Sequence, residues 1–119
     1  MRVVHDPEDG DPRTLAEDAE LADSFLSRAR GLMFRREFPS ALAFRFDGVS
    51  RRSLHMAFVF APIDAVWVAD GEVVQVKRLS PWTGTGLASA DLIIEFPAGG
   101  AAGVTAGDEL RLVAGTDNL

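Results

Sequence analysis

The most apolar stretch of this 119-residue chain, Ser53–Val68, contains one acidic residue, and this constrains the fold more than any other feature. Its sequence is SLHMAFVFAPIDAVWV, in which Asp64 follows Pro62-Ile63 between two strand-like segments. Apolar residues occupy both faces of the strand that would carry Asp64. A bare carboxylate is too costly to bury. We therefore expect Asp64 to be largely buried and paired, with Arg30 as its first partner.

Alternating apolar residues and turn signals follow one another through most of the remaining chain. The segments expected as strands are 42–46, 54–58, 63–68, 73–79, 92–96 and 109–113. Asp70-Gly71 is the strongest hairpin signal between two of them. The pattern predicts an all-β fold, a small antiparallel sandwich or barrel of about six to eight strands.

The N-terminal part is less regular. Residues 14–22 fit either a short strand or a helix. Asp23 is a suitable N-cap for a short helix over residues 24–30, which would end at Gly31. We expect this one short helix to be held by packing, because it is too short to be stable alone.

The domain boundaries follow from composition. Residues 1–13 contain two prolines and four acids, which predicts a mobile acidic lead that folding does not require. A single β-rich domain should span residues 14–113, and residues 114–119 should fray. The net charge of −6 lies in residues 1–23, which have eight acids and two arginines, while the rest has ten acids and ten bases.

Several classes of protein are disfavoured by the same composition. There is no basic stripe of the kind that binds nucleic acid. No apolar run reaches the roughly 20 residues of a membrane span. The N-terminus lacks the apolar core of a signal peptide, so we expect a cytoplasmic location. The absence of cysteine excludes disulfides, thiol catalysis and cysteine-ligated metals.

A succession of short motifs gives the chain a recognisable order. They are RARGLMFR at 28–35, LHM at 54–56, PID at 62–64, PW at 81–82, EFPAG at 95–99 and GD at 107–108. This succession, spanning about residues 21–113, resembles the domain of unknown function 192 family, also called uncharacterised protein family 0127. The resemblance implies a compact β-rich fold and no known activity. Relatives often have a polar residue where this chain has the apolar run 57–61.

Four residues are candidates for a ligand-binding site: His55, Asp64, Trp82 and Arg30. His55 lies on the less apolar face of its strand, and Trp82 lies in a glycine-rich loop where it could stack on a planar ligand or cover the core. No catalytic residue, metal ligand or cofactor site is predicted. A His55–Asp64–Glu95 metal cluster can be drawn, but no spacing requires it.

Three functions remain open at this stage. The first is a non-catalytic module that binds a small ligand near His55 and Trp82. The second is a hydrolytic enzyme that uses His55 and Asp64. The third is a structural or partner-binding domain, which a sizeable exposed apolar patch would favour. The first two require His55, Asp64 and Trp82 around a shared open pocket.

Overall fold

The computed structural model describes residues 1–22 and 39–114. Within these residues the chain forms strands and turns and no helix, which confirms the all-β class. The predicted short helix over residues 24–30 and the tail from residue 115 onward lie outside the described residues. The strands are β1 (Arg2–Asp6), β2 (Arg13–Ala16), β3 (Glu20–Ala22), β4 (Leu42–His55), β5 (Ile63–Ala69), β6 (Glu72–Leu79), β7 (Thr85–Pro97) and β8 (Glu109–Val113).

The eight strands belong to one open mixed sheet with the order β2-β1-β8-β6-β5-β7-β4-β3. The β3–β4 pair is parallel and the other pairs are antiparallel. This replaces the predicted antiparallel sandwich or barrel. Because β2 and β3 stand at opposite ends of the order and do not pair, the described strands leave the sheet open.

Both faces of the central strand β5 are buried, as its sequence predicted. Val66 and Val68 pack into one hydrophobic cluster, the front cluster, with Val3, Ile94, Phe96 and Leu110 among its members. Ile63, Ala65 and Trp67 pack into a second, the back cluster, with Leu42, Phe44, Met56, Leu79 and Ile93. The sheet therefore has apolar packing on each side, and a polar residue on β5 must face one of the two clusters.

The N-terminal segment is part of the sheet. β1 lies between β2 and β8, and Val3, Val4 and His5 are all buried. This differs from the mobile lead predicted over residues 1–13, although that segment has few apolar residues. They are sufficient because β8, from the other end of the domain, pairs along the whole of β1, from Arg2↔Val113 to Asp6↔Glu109.

The hairpin signals are confirmed where they are local. Asp70 and Gly71 both have positive φ, 51° and 83°, and join β5 to β6. A second Asp-Gly pair, Asp47-Gly48, lies within the 14-residue strand β4 and not in a hairpin turn, at a point where the register with β7 shifts between Arg45 and Ser50. The predicted strand over 54–58 ends at His55, and the glycine-rich loop that contains Trp82 ends where β7 begins, at Thr85.

The outer halves of β4 and β7 lie over the large side chain of Trp67. Its indole Nε1 donates a hydrogen bond to the Arg52 carbonyl oxygen at 3.0 Å. Gly86 on β7 lies so close to the indole that a Cβ there would overlap its Cη2 atom. Trp67 is fully buried and serves as core, as its strand position predicted. None of the described residues forms a helix of the length and apolarity that crossing a bilayer requires.

Candidate functional site

Three large aromatic side chains are exposed together at one end of the sheet. Phe58 and Phe60 lie in the loop between β4 and β5, and Trp82 lies in the loop between β6 and β7. The Trp82 ring centroid is 5.2 Å from that of Phe58 and 5.6 Å from that of Phe60, in edge-on and tilted orientations. Trp82 is 52% exposed, and the two phenylalanines are also exposed. We call these three residues the aromatic cluster.

The backbone at two members of this cluster has an unfavourable conformation. Phe58 has a φ of 61° and Trp82 a φ of 68°, in the left-handed region that bulky side chains avoid. Such a residue costs on the order of 1 kcal/mol and persists only where the surroundings impose it. The strain therefore indicates that the surrounding structure fixes the positions of these two rings.

Backbone hydrogen bonds between the two loops supply that constraint. The Trp82 N–H donates to the Val59 carbonyl oxygen at 3.2 Å, and the Met56 N–H donates to the Gly84 carbonyl oxygen at 3.0 Å. Within the first loop, the Val59 N–H donates to Met56 at 3.0 Å. Val59 and Met56 are themselves buried in the back cluster. The loops that carry the aromatic cluster are thus anchored in the back cluster through Met56 and Val59.

His55 lies at the same end of the sheet. It is the last residue of β4, it is exposed, and it pairs in register with Thr85 at the start of β7. Of the four predicted site residues, the structure therefore brings His55 and Trp82 to one end of the molecule. Arg30 lies outside the described residues.

Asp64 is in a different environment. It is 5% exposed and faces the front cluster, with Arg78 as its cross-strand neighbour on β6. Arg78 Nε donates to Oδ1 at 2.6 Å, and the backbone N–H groups of Gly99 and Ala101 donate to Oδ2 at 2.9 and 3.3 Å. The prediction that Asp64 is buried and satisfied is confirmed. Its arginine partner among the described residues is Arg78 rather than Arg30, because antiparallel pairing with β6 sets Arg78 opposite it.

The protonation of Asp64 follows from these contacts. Burial by itself raises the pKa of the carboxyl, but hydrogen bonds from Arg78, Ala101 and Gly99 outweigh burial, and the pKa is lowered. The carboxylate is therefore ionised at neutral pH and its oxygens are occupied. This arrangement holds β5, β6 and the turn after β7 together.

The proposed metal cluster of His55, Asp64 and Glu95 does not assemble. Glu95 pairs in register with Ala65, so it faces the back cluster, whereas Asp64 faces the front cluster. Among residues 1–22 and 39–114, no three potential metal ligands converge. Burial raises the pKa of Glu95 to about 7.

Another buried acid, Asp108, has a histidine partner and was not among the predicted site residues. His5 Nε2 lies 2.7 Å from Asp108 Oδ2, and His5 Nδ1 accepts a hydrogen bond from Arg13 Nε at 3.1 Å. Asp108 also accepts from the backbone N–H groups of Thr105 and Glu8, at 3.0 and 3.2 Å. These bonds, first that from Thr105 and then that from His5, lower the pKa of Asp108 to about 2. The Gly107-Asp108 motif marks Asp108 in the sequence, but its partner His5 lies in the segment that was predicted to be a mobile lead.

The exposed phenylalanines were also missed. The apolar run 57–61 directly before Pro62 indicates a strand or core segment, and nothing in its composition distinguishes Phe58 and Phe60 from buried residues. The available signal was Pro62, because a proline interrupts a strand; the structure leaves the seven residues 56–62 as a loop between β4 and β5.

Comparison with known proteins identifies the group of proteins to which the chain is related. A family model, DUF192, described as "Uncharacterized ACR", matches residues 6–112. The chain belongs to the DUF192 family. The match confirms the resemblance that the six motifs indicated.

Relatives of this DUF192 chain include UPF0127 proteins of three Thermococcus species. That of Thermococcus kodakarensis is 38% identical over 84 residues, covering 67% of this chain and 54% of the relative. That of Thermococcus sibiricus is 37% identical with the same coverage. The chain thus spans about half the length of the curated relatives it matches.

Two solved structures share the fold across most of the chain. A Sinorhizobium meliloti protein, described as a proposed transcription regulator, superposes with a TM-score of 0.80 and 25% identity, covering 92% of this chain and 91% of that one. A protein of unknown function from Novosphingobium aromaticivorans gives 0.79 and 23%, covering 94% and 84%. The DUF192 fold is therefore found in other proteins whose printed descriptions name no substrate or ligand.

Proposed function

We propose that this protein is a non-catalytic binding module, in which the aromatic cluster and the adjacent His55 bind a small ligand with a flat apolar face, such as a sugar or an aromatic ring. The observation that carries the proposal is the strained and exposed display of Phe58 and Trp82 on two loops that hydrogen-bond to each other.

The energetics favour a binding role for these rings. Exposed aromatic surface is unfavourable in water, and covering it is worth about 25 cal/mol per Å². Left-handed φ values add a further cost, so the folded state holds two unfavourable features at one place. A flat ligand that stacks on Trp82 would relieve the first of them, and His55 offers a hydrogen-bonding group at the rim.

The hydrolytic alternative has less support. A carboxylate that orients a catalytic histidine must accept a hydrogen bond from it. The oxygens of Asp64 accept instead from Arg78, Gly99 and Ala101, and Asp64 lies against the front cluster. The Sinorhizobium protein is described as a transcription regulator, but a net charge of −6 disfavours DNA binding by this chain.

Tryptophan fluorescence can test the proposal, because the chain has two tryptophans in opposite environments. Trp82 is 52% exposed and Trp67 is fully buried. Titration with a panel of monosaccharides, nucleosides and aromatic acids should change Trp82 emission in a saturable way for at least one class. Trp82→Ala and Phe60→Ala should each weaken that binding at least tenfold.

Leu87→Ala is the matched control, since Leu87 is an exposed apolar residue on β7, outside the two loops that carry the cluster. It should leave the titration unchanged. Saturable binding that survives both Trp82→Ala and Phe60→Ala would contradict the proposal. If no member of the panel binds, while a protein partner is lost on Trp82→Ala, the partner-binding alternative replaces it.

A further inference from the structure

A cavity of about 300 Å³ lies away from the aromatic cluster, bordered mainly by residues of β4, β5, β7 and β8. Its floor is apolar: Val68 and Leu110 are buried, and Leu92 and Leu112 are half-buried beside them. All four belong to the front cluster or pack against it. The cavity is therefore the part of the front cluster that the described strands leave open to solvent.

Arg45 brings a positive charge to this apolar floor. Ala43, two residues before it on β4, belongs to the front cluster, as does Ala41 just before the strand, so Arg45 leaves the strand on the same face. Arg45 pairs in register with Leu92 and borders the cavity. Arg45 is exposed, and its side chain makes no hydrogen bond or ion pair within the part of the chain that the structure describes.

The other charged groups at the cavity are Asp91 and Arg111. The Asp91 Oδ1 accepts a hydrogen bond from the Asp70 N–H at 3.3 Å, which holds this carboxylate to the β5–β6 turn. Arg111 lies between Leu110 and Leu112 on β8, so its side chain leaves the strand on the side away from the floor. Arg45 is therefore the cation placed to meet a ligand over the apolar floor.

We propose that this cavity binds a single-chain amphipathic carboxylate, of the medium-chain fatty-acid class, with its head group on Arg45 and its chain on the half-buried Leu92 and Leu112. A guanidinium that has no partner among residues 1–22 and 39–114 and stands beside an apolar surface matches such a ligand in both charge and polarity. The volume is at the small end of ligand pockets, which favours a chain of about eight carbons over a long one.

Isothermal titration with octanoate tests this site independently of the aromatic cluster. Octanoate should bind saturably, and octanol, which has the same chain without the charge, should bind at least tenfold more weakly. Shortening the chain from octanoate to hexanoate should weaken binding about tenfold or more, because each buried methylene contributes roughly a fourfold factor. Trp82→Ala should have no effect, so failure here and failure of the proposed function are distinguishable.

Two arginines on the same strand provide matched variants. Arg45→Gln should weaken octanoate binding at least tenfold, whereas Arg51→Gln, an equal change of charge at an exposed residue that does not border the cavity, should not. Asp91→Asn should strengthen binding, because it removes a negative charge that borders the cavity together with Arg45. Equal thermal stability of the two arginine variants would show that folding is intact.

Three outcomes would overturn the proposal. One is the absence of saturable octanoate binding to the wild-type protein at millimolar concentration. Another is an equal loss in Arg45→Gln and Arg51→Gln, which would indicate a general effect of charge. The third is equal affinity for octanol and octanoate, which would show apolar adsorption without recognition of the carboxylate.

Discussion

The two buried and hydrogen-bonded acids, Asp64 and Asp108, differ from the aromatic cluster in almost every physical respect. The acids are polar groups that the fold buries and surrounds with donors, whereas the cluster consists of apolar groups that the fold leaves in water. Residue type alone would suggest the reverse assignment, with carboxylates as functional groups and phenylalanines as core. In this protein the structural residues are those whose hydrogen bonds are satisfied, and the candidates for function are those with exposed apolar surface.

The two regions also differ in how the backbone is used. At Asp64 and Asp108, backbone N–H groups of turns donate to a side chain and are satisfied by it. At Phe58 and Trp82, the backbone takes a costly conformation while the residues stay 41% and 52% exposed. If this contrast is correct, substitutions in the first region should lower stability strongly and substitutions in the second should not.

The largest effect is expected for Asp64→Ala. It would remove the acceptor for the Gly99 and Ala101 N–H groups and leave them unsatisfied, at a cost of about 3 kcal/mol in the free energy of unfolding. Arg78→Ala is the matched comparison and should cost much less, because Arg78 is 60% exposed and the two backbone donors would remain. Urea unfolding measures both. A cost under about 1 kcal/mol for Asp64→Ala would break the contrast.

The next effect concerns acid stability and Asp108. Its folded pKa of about 2 lies below the ordinary value of 3.8, so its contribution is present above about pH 4 and is lost as the pH falls towards 2. Asp108→Asn should therefore cost about 2 kcal/mol at pH 7, and the difference from wild type should shrink on acidification. Urea unfolding at pH 7, 4 and 2.5 measures this. A difference that stays constant with pH would assign the cost to packing.

Glu95 is a buried acid whose pKa is shifted upwards, whereas the pKa values of Asp64 and Asp108 are lowered. Burial raises its pKa from 4.5 to about 7, so the folded state loses stability as the pH rises from about 4.5 through 7. Glu95→Gln should leave stability unchanged at pH 4 and raise it by about 1–2 kcal/mol at pH 8. Thermal unfolding across this range tests the sign. A variant less stable than wild type at pH 8 would show that the carboxylate has a favourable partner when ionised.

The smallest effect should be a gain in stability in the aromatic region. Trp82→Gly should be more stable than Trp82→Ala by about 1 kcal/mol, since glycine adopts a φ of 68° without strain and alanine does not. Both variants lack the ring, so their difference isolates the backbone. Thermal unfolding of the pair measures it. Equal melting temperatures would mean that the loop relaxes away from the left-handed conformation once the indole is removed.

Features that depend on neighbouring residues were predictable from the sequence. The Asp70-Gly71 turn is encoded by two adjacent residues, and the bounds of β8 at 109–113 follow from an alternating segment after Gly107-Asp108. The burial of Asp64 followed from the apolar residues on both sides of it. These predictions needed no knowledge of what lies across the sheet.

The partner of Asp64 shows why the rest could not be predicted. The pairs Ala69↔Glu72 and Val68↔Val73, continued without interruption, would place Asp64 opposite Lys77. The register shifts between Trp67 and Val68, and this shift places Arg78 there instead. A one-residue irregularity leaves no clear mark in the sequence. The exposure of Phe58 has a similar origin, because it follows from one φ angle and not from residue type.

The position of β1 between β2 and β8 has a consequence for how the protein is made. Because Arg2 pairs with Val113, a strand that leaves the ribosome early must wait until almost the whole domain has been synthesised before its partner exists. During that interval Val3 and Val4 have no β8 to cover them. Pairing of residues so distant in sequence also slows folding once synthesis is complete. The nascent chain should therefore spend longer in a form that chaperones recognise than a protein of the same size built from local hairpins.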